Sequence, residues 1–322
     1  MTLLYTDIAI ISHPDCVLHD AGQDHPERPE RFRVVEAALK HYPFRSTVQF
    51  SEAPLVQESS LLLAHSEYYV DWIKAIAPLK GMVSIDADTW MNPFTLNAAL
   101  RAAGALVLAV DLVIKGEARV VFCNVRPPGH HAERDKAMGF CIFNNVAVGV
   151  MHAINTYHLE RIAIVDFDVH HGNGTQHIFQ NDNRVLYCSS FEHPFYPGYD
   201  PALDRPHLLS VPLQAGTTSD LFRQKVAAAW FDKIRTFKPQ LIFLSSGFDA
   251  HRDDPLADIN LTKADYVWLT TEIAQIAKQC CDGKMISALE GGYNLAVLRE
   301  CVPAHVDAMV GDSGFEPLTP TV

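Results

Sequence analysis

What most constrains this chain is a set of short, unbroken apolar runs, each followed at once by residues that carry chemistry. Ile162-Ala163-Ile164-Val165, for example, leads straight into Asp166-Phe167-Asp168-Val169-His170-His171-Gly172-Asn173-Gly174. A strand with one wet face alternates apolar and polar side chains, whereas a strand covered on both faces reads as a continuous apolar run. Residues 8–12, 119–125, 162–169, 185–190, 241–245 and 285–289 read this way. Segments of helical spacing lie between them, at 29–41 (entered by Pro29), 66–77, 93–115, 145–157, 175–179, 219–237, 262–280 and 295–310. That alternation predicts an α/β fold: a mostly parallel sheet with helices on both faces. No internal repeat, low-complexity stretch or linker interrupts it, so residues 1–322 are expected to form one domain.

Open α/β sheets place their ligands at the carboxyl ends of the strands. Residues 126–131, 166–173, 247–254 and 290–293 all follow predicted strands, so they should share one rim. Asp168 and His170, two apart, are expected on the same side of an extended chain. A single acid at a strand end is ordinarily a cap or an Asx turn. Two acids and two histidines within residues 166–171 are not, because unpaired carboxylates that close repel, and a cation is the economical explanation. Asp249, delivered by the strand from Leu241, completes three protein ligands with room for water, the open arrangement of a catalytic metal site. Two oxygens and one nitrogen suit Zn(II), and Fe(II) or Co(II) equally.

Three further pieces gather at the rim. Arg126-Pro127-Pro128-Gly129 stiffens the approach to His130 and His131, and histidine is the natural acid and base for a water beside a metal. Tyr293, after Gly291-Gly292, could donate a hydrogen bond to a carbonyl oxygen opposite the metal. Gly139-Phe140 and Phe195-Tyr196-Pro197-Gly198 read functionally as walls of a narrow apolar channel.

The motifs RPPGHHAERDKAMGFCIFNN, VDFDVHHGNGTQHIF, GFDAHRDDPL and LEGGYN, with HPERPERF near the start, resemble the zinc-dependent histone deacetylase family, closest to its class II and bacterial members. The resemblance implies an arginase/deacetylase fold with an eight-stranded sheet. It makes Asp168, His170 and Asp249 the zinc ligands, His131 the general base and acid, His130 its electrostatic partner, and Tyr293 the carbonyl-polarising phenol. Phe140 and Tyr196 would line an acyl-lysine channel, with Gly139 and Leu256 beside it. Asp166 would orient His130 and, with Asp168, His170, Ser189 and Ser190, mark a monovalent-cation (potassium) site. Arg28 falls near the family's arginine below the metal. Asn173 stands where class I members carry an aspartate behind the second histidine, which is the class II pattern. Leu256 stands where a polyamine-selective relative has glutamate, which favours acyl-lysine proteins or peptides over acetylated polyamines.

Bulk properties bound the rest. A net charge of −12 argues against a nucleic-acid surface, which shows a basic stripe. The seven cysteines form no CxxC unit, so a reduced, cytoplasmic setting is the default. The N-terminus has no signal-peptide pattern, and no apolar run approaches about 18 residues, so no membrane span is expected. A homo-oligomer is compatible with all of this. The expected activity is metal-dependent removal of an acetyl or other acyl group from a lysine ε-amine. The alternatives are an acetylpolyamine deacetylase, a binuclear ureohydrolase, whose second metal would want a carboxylate where His251 stands, and a non-catalytic acyl-lysine binder.

Overall fold

The apolar runs become the middle of a single sheet. A computed structural model describes residues 6–311, among which lie ten strands: β1 (Thr6–Ser12), β2 (Val48–Glu52), β3 (Val83–Ser84), β4 (Trp90–Met91), β5 (Ala118–Asn124), β6 (Ile162–Asp166), β7 (Val185–Glu192), β8 (Leu208–Leu213), β9 (Leu241–Ser246) and β10 (Met285–Leu289). Eight of them form one sheet in the order β2-β1-β5-β10-β9-β6-β7-β8, with every neighbouring pair parallel. Successive residues of β6 feed opposite cores: Ile162 and Ile164 join the cluster on one face, Ala163 and Val165 that on the other. This double burial is why its run carries no polar alternation.

Helices Pro29–His41 and Asn145–Tyr157 have the bounds their spacing predicts. Helix Thr95–Ile114 is long and apolar enough to cross a bilayer by length and composition, which the sequence reading did not anticipate. It packs instead on the sheet and on helix Asn145–Tyr157, with 56% of its most apolar window buried, as a core helix does. The predicted helix 219–237 is divided by a π-turn at Ala227–Phe231. There Trp230 is fully buried and its indole N–H donates to the Leu209 carbonyl at 3.2 Å.

One difference bears on the site. β6 ends at Asp166, not at residue 169, so Asp168 and His170 are not on a strand. The Asp166 carboxylate accepts from the Asp168 N–H at 3.2 Å, and Asp168 accepts from the His170 N–H at 2.9 Å. These side chains take the amides that would have continued the ladder, and the backbone bends.

Candidate metal centre and active site

Asp168 and His170 leave the bend after β6, Asp249 leaves the loop after β9, and all three are buried with donor atoms within 4.8 Å of one another. His170 Nδ1 lies 3.0 Å from Asp168 Oδ1 and 3.3 Å from Asp249 Oδ2. Backbone amides aim the acids: Val169 N–H donates to Asp249 at 2.9 Å, and Gly291 N–H to Asp168 at 2.8 Å. Two glycines let the chain come this close. A Cβ on Gly291 would stand 2.0 Å from Asp249 Oδ2, and one on Gly247 would stand 2.1 Å from Asp168 Oδ2.

This donor set fits a divalent cation. Burial and the neighbouring Asp168 charge push the Asp249 carboxyl up, and its Oδ2 has no hydrogen-bond partner. A buried acceptor left this way is costly, and an ion bridging both acids and the imidazole removes the cost. Among the described residues this is the one group of three or more acids, histidines or cysteines able to hold an ion. His251, two residues beyond Asp249, instead accepts from the Asp253 N–H at 3.2 Å.

The tandem histidines stand beside the ligands with ring centroids 4.0 Å apart, and their surroundings differ. His130 Nδ1 is 3.1 Å from Asp166 Oδ2, which also accepts from the Tyr187 hydroxyl at 2.8 Å. Burial opposes charge on His130, but the Asp168 and Asp166 carboxylates hold it up at about 10. His131 is pushed well below its ordinary value by burial and by the positive charges of His130 and His170, so it is neutral. Its Nδ1 is 2.9 Å from Asn173 Oδ1. Glu290 holds the loop from behind, accepting from the Gly129 N–H at 2.7 Å and the His130 N–H at 3.1 Å.

Tyr293 approaches from the loop after β10. Burial raises its phenol well above the ordinary value despite the nearby Arg31 cation, so it stays protonated. The Arg31 guanidinium lies 4.9 Å from the Tyr293 ring centroid, bonds the Gly292 and Glu290 carbonyls and pairs with Glu27 at 2.9 Å. The arginine beneath the site is therefore Arg31; Arg28 lines a separate surface depression. HPERPERF offers both, and the apolar stripe Val35–Leu39 of helix Pro29–His41, continued back four residues, lands on Arg31. Asp254 joins two walls: it accepts from the Tyr293 N–H at 2.7 Å and the Leu256 N–H at 3.1 Å.

A cavity of about 180 Å³ is lined by Gly139, Phe140, Phe195, Tyr196, Leu256 and Tyr293 together with His131 and His170, and so reaches the candidate metal centre through His170. Phe140 meets Tyr293 edge-on at 5.9 Å, and Phe195 stacks on His170 at 5.6 Å. Asp88, which sequence reasoning missed, also lines it and accepts from the Gly139 N–H at 3.1 Å. Ser189, in register with Asp166 on the neighbouring strand, has a buried hydroxyl without a partner. Ser190 follows it on β7, so its side chain leaves on the opposite face.

The sequence profile of the histone deacetylase domain matches residues 25–309. The chain belongs to the histone deacetylase family. A histone deacetylase-like amidohydrolase of Pseudomonas aeruginosa is 35% identical over 298 residues, covering 90% of this chain and 78% of that protein. Type-2 histone deacetylase 2 of Dictyostelium discoideum is 32% identical over 95% of this chain, which spans only 21% of that longer protein. The crystal structure of the HDA15 HD domain superposes with a TM-score of 0.86 at 32% identity, over 98% of this chain and 90% of that one. The eight-stranded sheet is thus the histone deacetylase fold, and the chain is a hydrolase of the deacetylase/amidohydrolase type, from a metal-dependent family acting on acetylated substrates.

Proposed function

We propose that this histone deacetylase family member removes acyl groups, acetyl foremost, from lysine ε-amines of proteins or peptides, with zinc held by Asp168, His170 and Asp249. The observation that carries this reading is the aromatic-walled cavity that reaches that Asp-His-Asp group through His170, with His131 beside it. A lysine stem gains about 0.8 kcal/mol for each methylene buried there. Acylation removes the ammonium charge, whose burial the apolar wall would otherwise penalise. Leu256 presents no carboxylate to the second ammonium of a polyamine, and the one carboxylate that lines the cavity, Asp88, already accepts from the Gly139 N–H.

A divalent ion in this site supplies Lewis acidity, lowering the pKa of an adjacent water and polarising an amide carbonyl. Neutral His131 accepts the proton of the attacking water through its Nε2 and returns it to the departing amine. Cationic His130, oriented by Asp166, stabilises the negative charge that builds up beside it. The protonated Tyr293 phenol donates to the carbonyl oxygen as that oxygen gains charge. Asp166, Asp168, His170 and Ser189 are the proposed holders of a potassium ion, which the unpartnered Ser189 hydroxyl supports.

The test is a substrate panel of acetyl-lysine peptides, longer acyl-lysines and acetylspermidine, run on protein loaded with zinc, iron(II) or cobalt(II). Highest kcat/KM on an acyl-lysine peptide is expected. A preference of about tenfold for acetylspermidine would move the substrate class to polyamines. Inertness toward the whole panel with metal bound would leave a binder, not an enzyme.

A further inference from the structure

We infer that Glu133 is a positioning residue for His131: it fixes which end of the Asn173 amide faces the imidazole, and so which nitrogen of His131 is free. The inference rests on the role proposed for His131 above. A carboxylate in place of Asn173 would accept from the His131 Nδ1–H whichever way it turned. An amide has one accepting and one donating end of nearly the same shape, and only one orientation serves catalysis. If the amide NH2 faced Nδ1, that nitrogen would have to carry the lone pair, and the proton would sit on Nε2 toward the cavity. His131 could then take no proton from a water there.

The far side of the amide settles its orientation. Asn173 Nδ2 lies 2.8 Å from Glu133 Oε1, 3.3 Å from Met138 Sδ and 3.5 Å from the His131 carbonyl oxygen. A carboxylate, a thioether and a carbonyl are all acceptors, so the group facing them is the NH2 and the oxygen turns to His131 Nδ1, 2.9 Å away. Glu133 is the charged and nearest of the three, and charge-assisted bonds are about twice as strong as neutral ones. Its own place is set by a tight turn in which its N–H donates to the Lys136 carbonyl at 2.8 Å. Glu133 lies two residues beyond His131, and Asn173 opens helix Asn173–Phe179, so the carboxylate also ties the histidine loop to that helix.

The experiment compares wild type, Glu133→Ala, Glu133→Gln and the double variant Glu133→Ala/Asn173→Asp, all zinc-loaded. It reads kinetics on an acetyl-lysine peptide and the His131 tautomer from 15N chemical shifts of labelled histidine. In Glu133→Ala, kcat should fall about tenfold or more with KM within about twofold, and the Nε2–H tautomer should appear. Glu133→Gln keeps an accepting oxygen and should stay within about threefold of wild type. The double variant should recover both kcat and the Nδ1–H tautomer, because the aspartate needs no orienting partner. Wild-type kcat and tautomer in Glu133→Ala would overturn the inference, as would an equal loss in Glu133→Gln or no recovery in the double variant. Should wild type turn over no substrate, the proposed function fails, and the tautomer measurement still decides the role of Glu133.

Discussion

Gly291→Ala isolates the metal site from the rest of the fold. The new Cβ would stand 2.0 Å from Asp249 Oδ2 and 2.6 Å from Asp168 Oδ2, against roughly 3.3 Å for a relaxed carbon–oxygen contact. One carboxylate must therefore move by more than about 1 Å, while ligand distances are held within about 0.2 Å. Changing a partner that only orients a ligand weakens metal binding about 10- to 100-fold, so displacing a ligand should reach the upper figure or exceed it. A hundredfold is about 2.7 kcal/mol of ion-dependent stability at saturating zinc, or roughly 5 °C in Tm for a chain this long. Without the ion, the buried Asp249 carboxylate is held by the Val169 N–H and can shift at a smaller cost, and Gly291 does not use the left-handed region, so metal-free Tm should fall by less than the zinc-bound Tm. Competition with a zinc indicator, together with melting in chelator and in zinc, reads both quantities. Wild-type zinc affinity in the variant, or an equal loss of Tm in chelator, would refute the reasoning.

Tyr293→Phe should lower kcat by about 100- to 1,000-fold while leaving zinc affinity and Tm near wild type, since it removes one donor and no ligand; an unchanged kcat on the best panel substrate would remove the proposed role. His305 links acid pH to stability. It is fully buried, its Nδ1 2.7 Å from Thr270 Oγ1 and its Nε2 2.9 Å from Ser287 Oγ, and burial holds its pKa down at about 3. The unfolded imidazole protonates near 6.5 and the folded one only near 3, so the unfolded state binds more protons between those values. Stability is complete above about pH 6.5 and falls as pH drops, by on the order of 5 kcal/mol at the limit. Urea midpoints at pH 7 and pH 4.5 should draw together in His305→Gln relative to wild type, and an identical pH slope in the two proteins would dismiss this account.

The central strands were legible because burial on both faces leaves an unbroken apolar signature, as at 162–165 and 241–244. The edge strands β2 and β8 were not, because an edge has a wet side. β2 is mostly exposed, and β8 contains Pro212, which only an edge or bulge tolerates. The ligands and histidines stood out as dense clusters beside strand ends. Arg31, Glu133, Asp88 and Asp254 did not, since each acts through a contact that appears only when distant loops meet. Arg31 bonds carbonyls about 260 residues away, and Asp254 reaches an amide 39 residues on. The bend at Asp166 was hidden for a related reason: the apolar residues Phe167 and Val169 continue a strand-like pattern while the carboxylates divert its hydrogen bonds.

The amides that aim the ligand acids come from other segments of the chain: Val169 to Asp249 across 80 residues, and Gly291 to Asp168 across 123. No short fragment can preform this site. The loops after β6, β9 and β10 must already be docked side by side before a cation meets its full ligand set. The full ligand set therefore exists only in the assembled sheet, and an ion held by all three side chains stabilises that assembled state. Full metal occupancy then reports whether β6, β9 and β10 have reached their places side by side in the sheet.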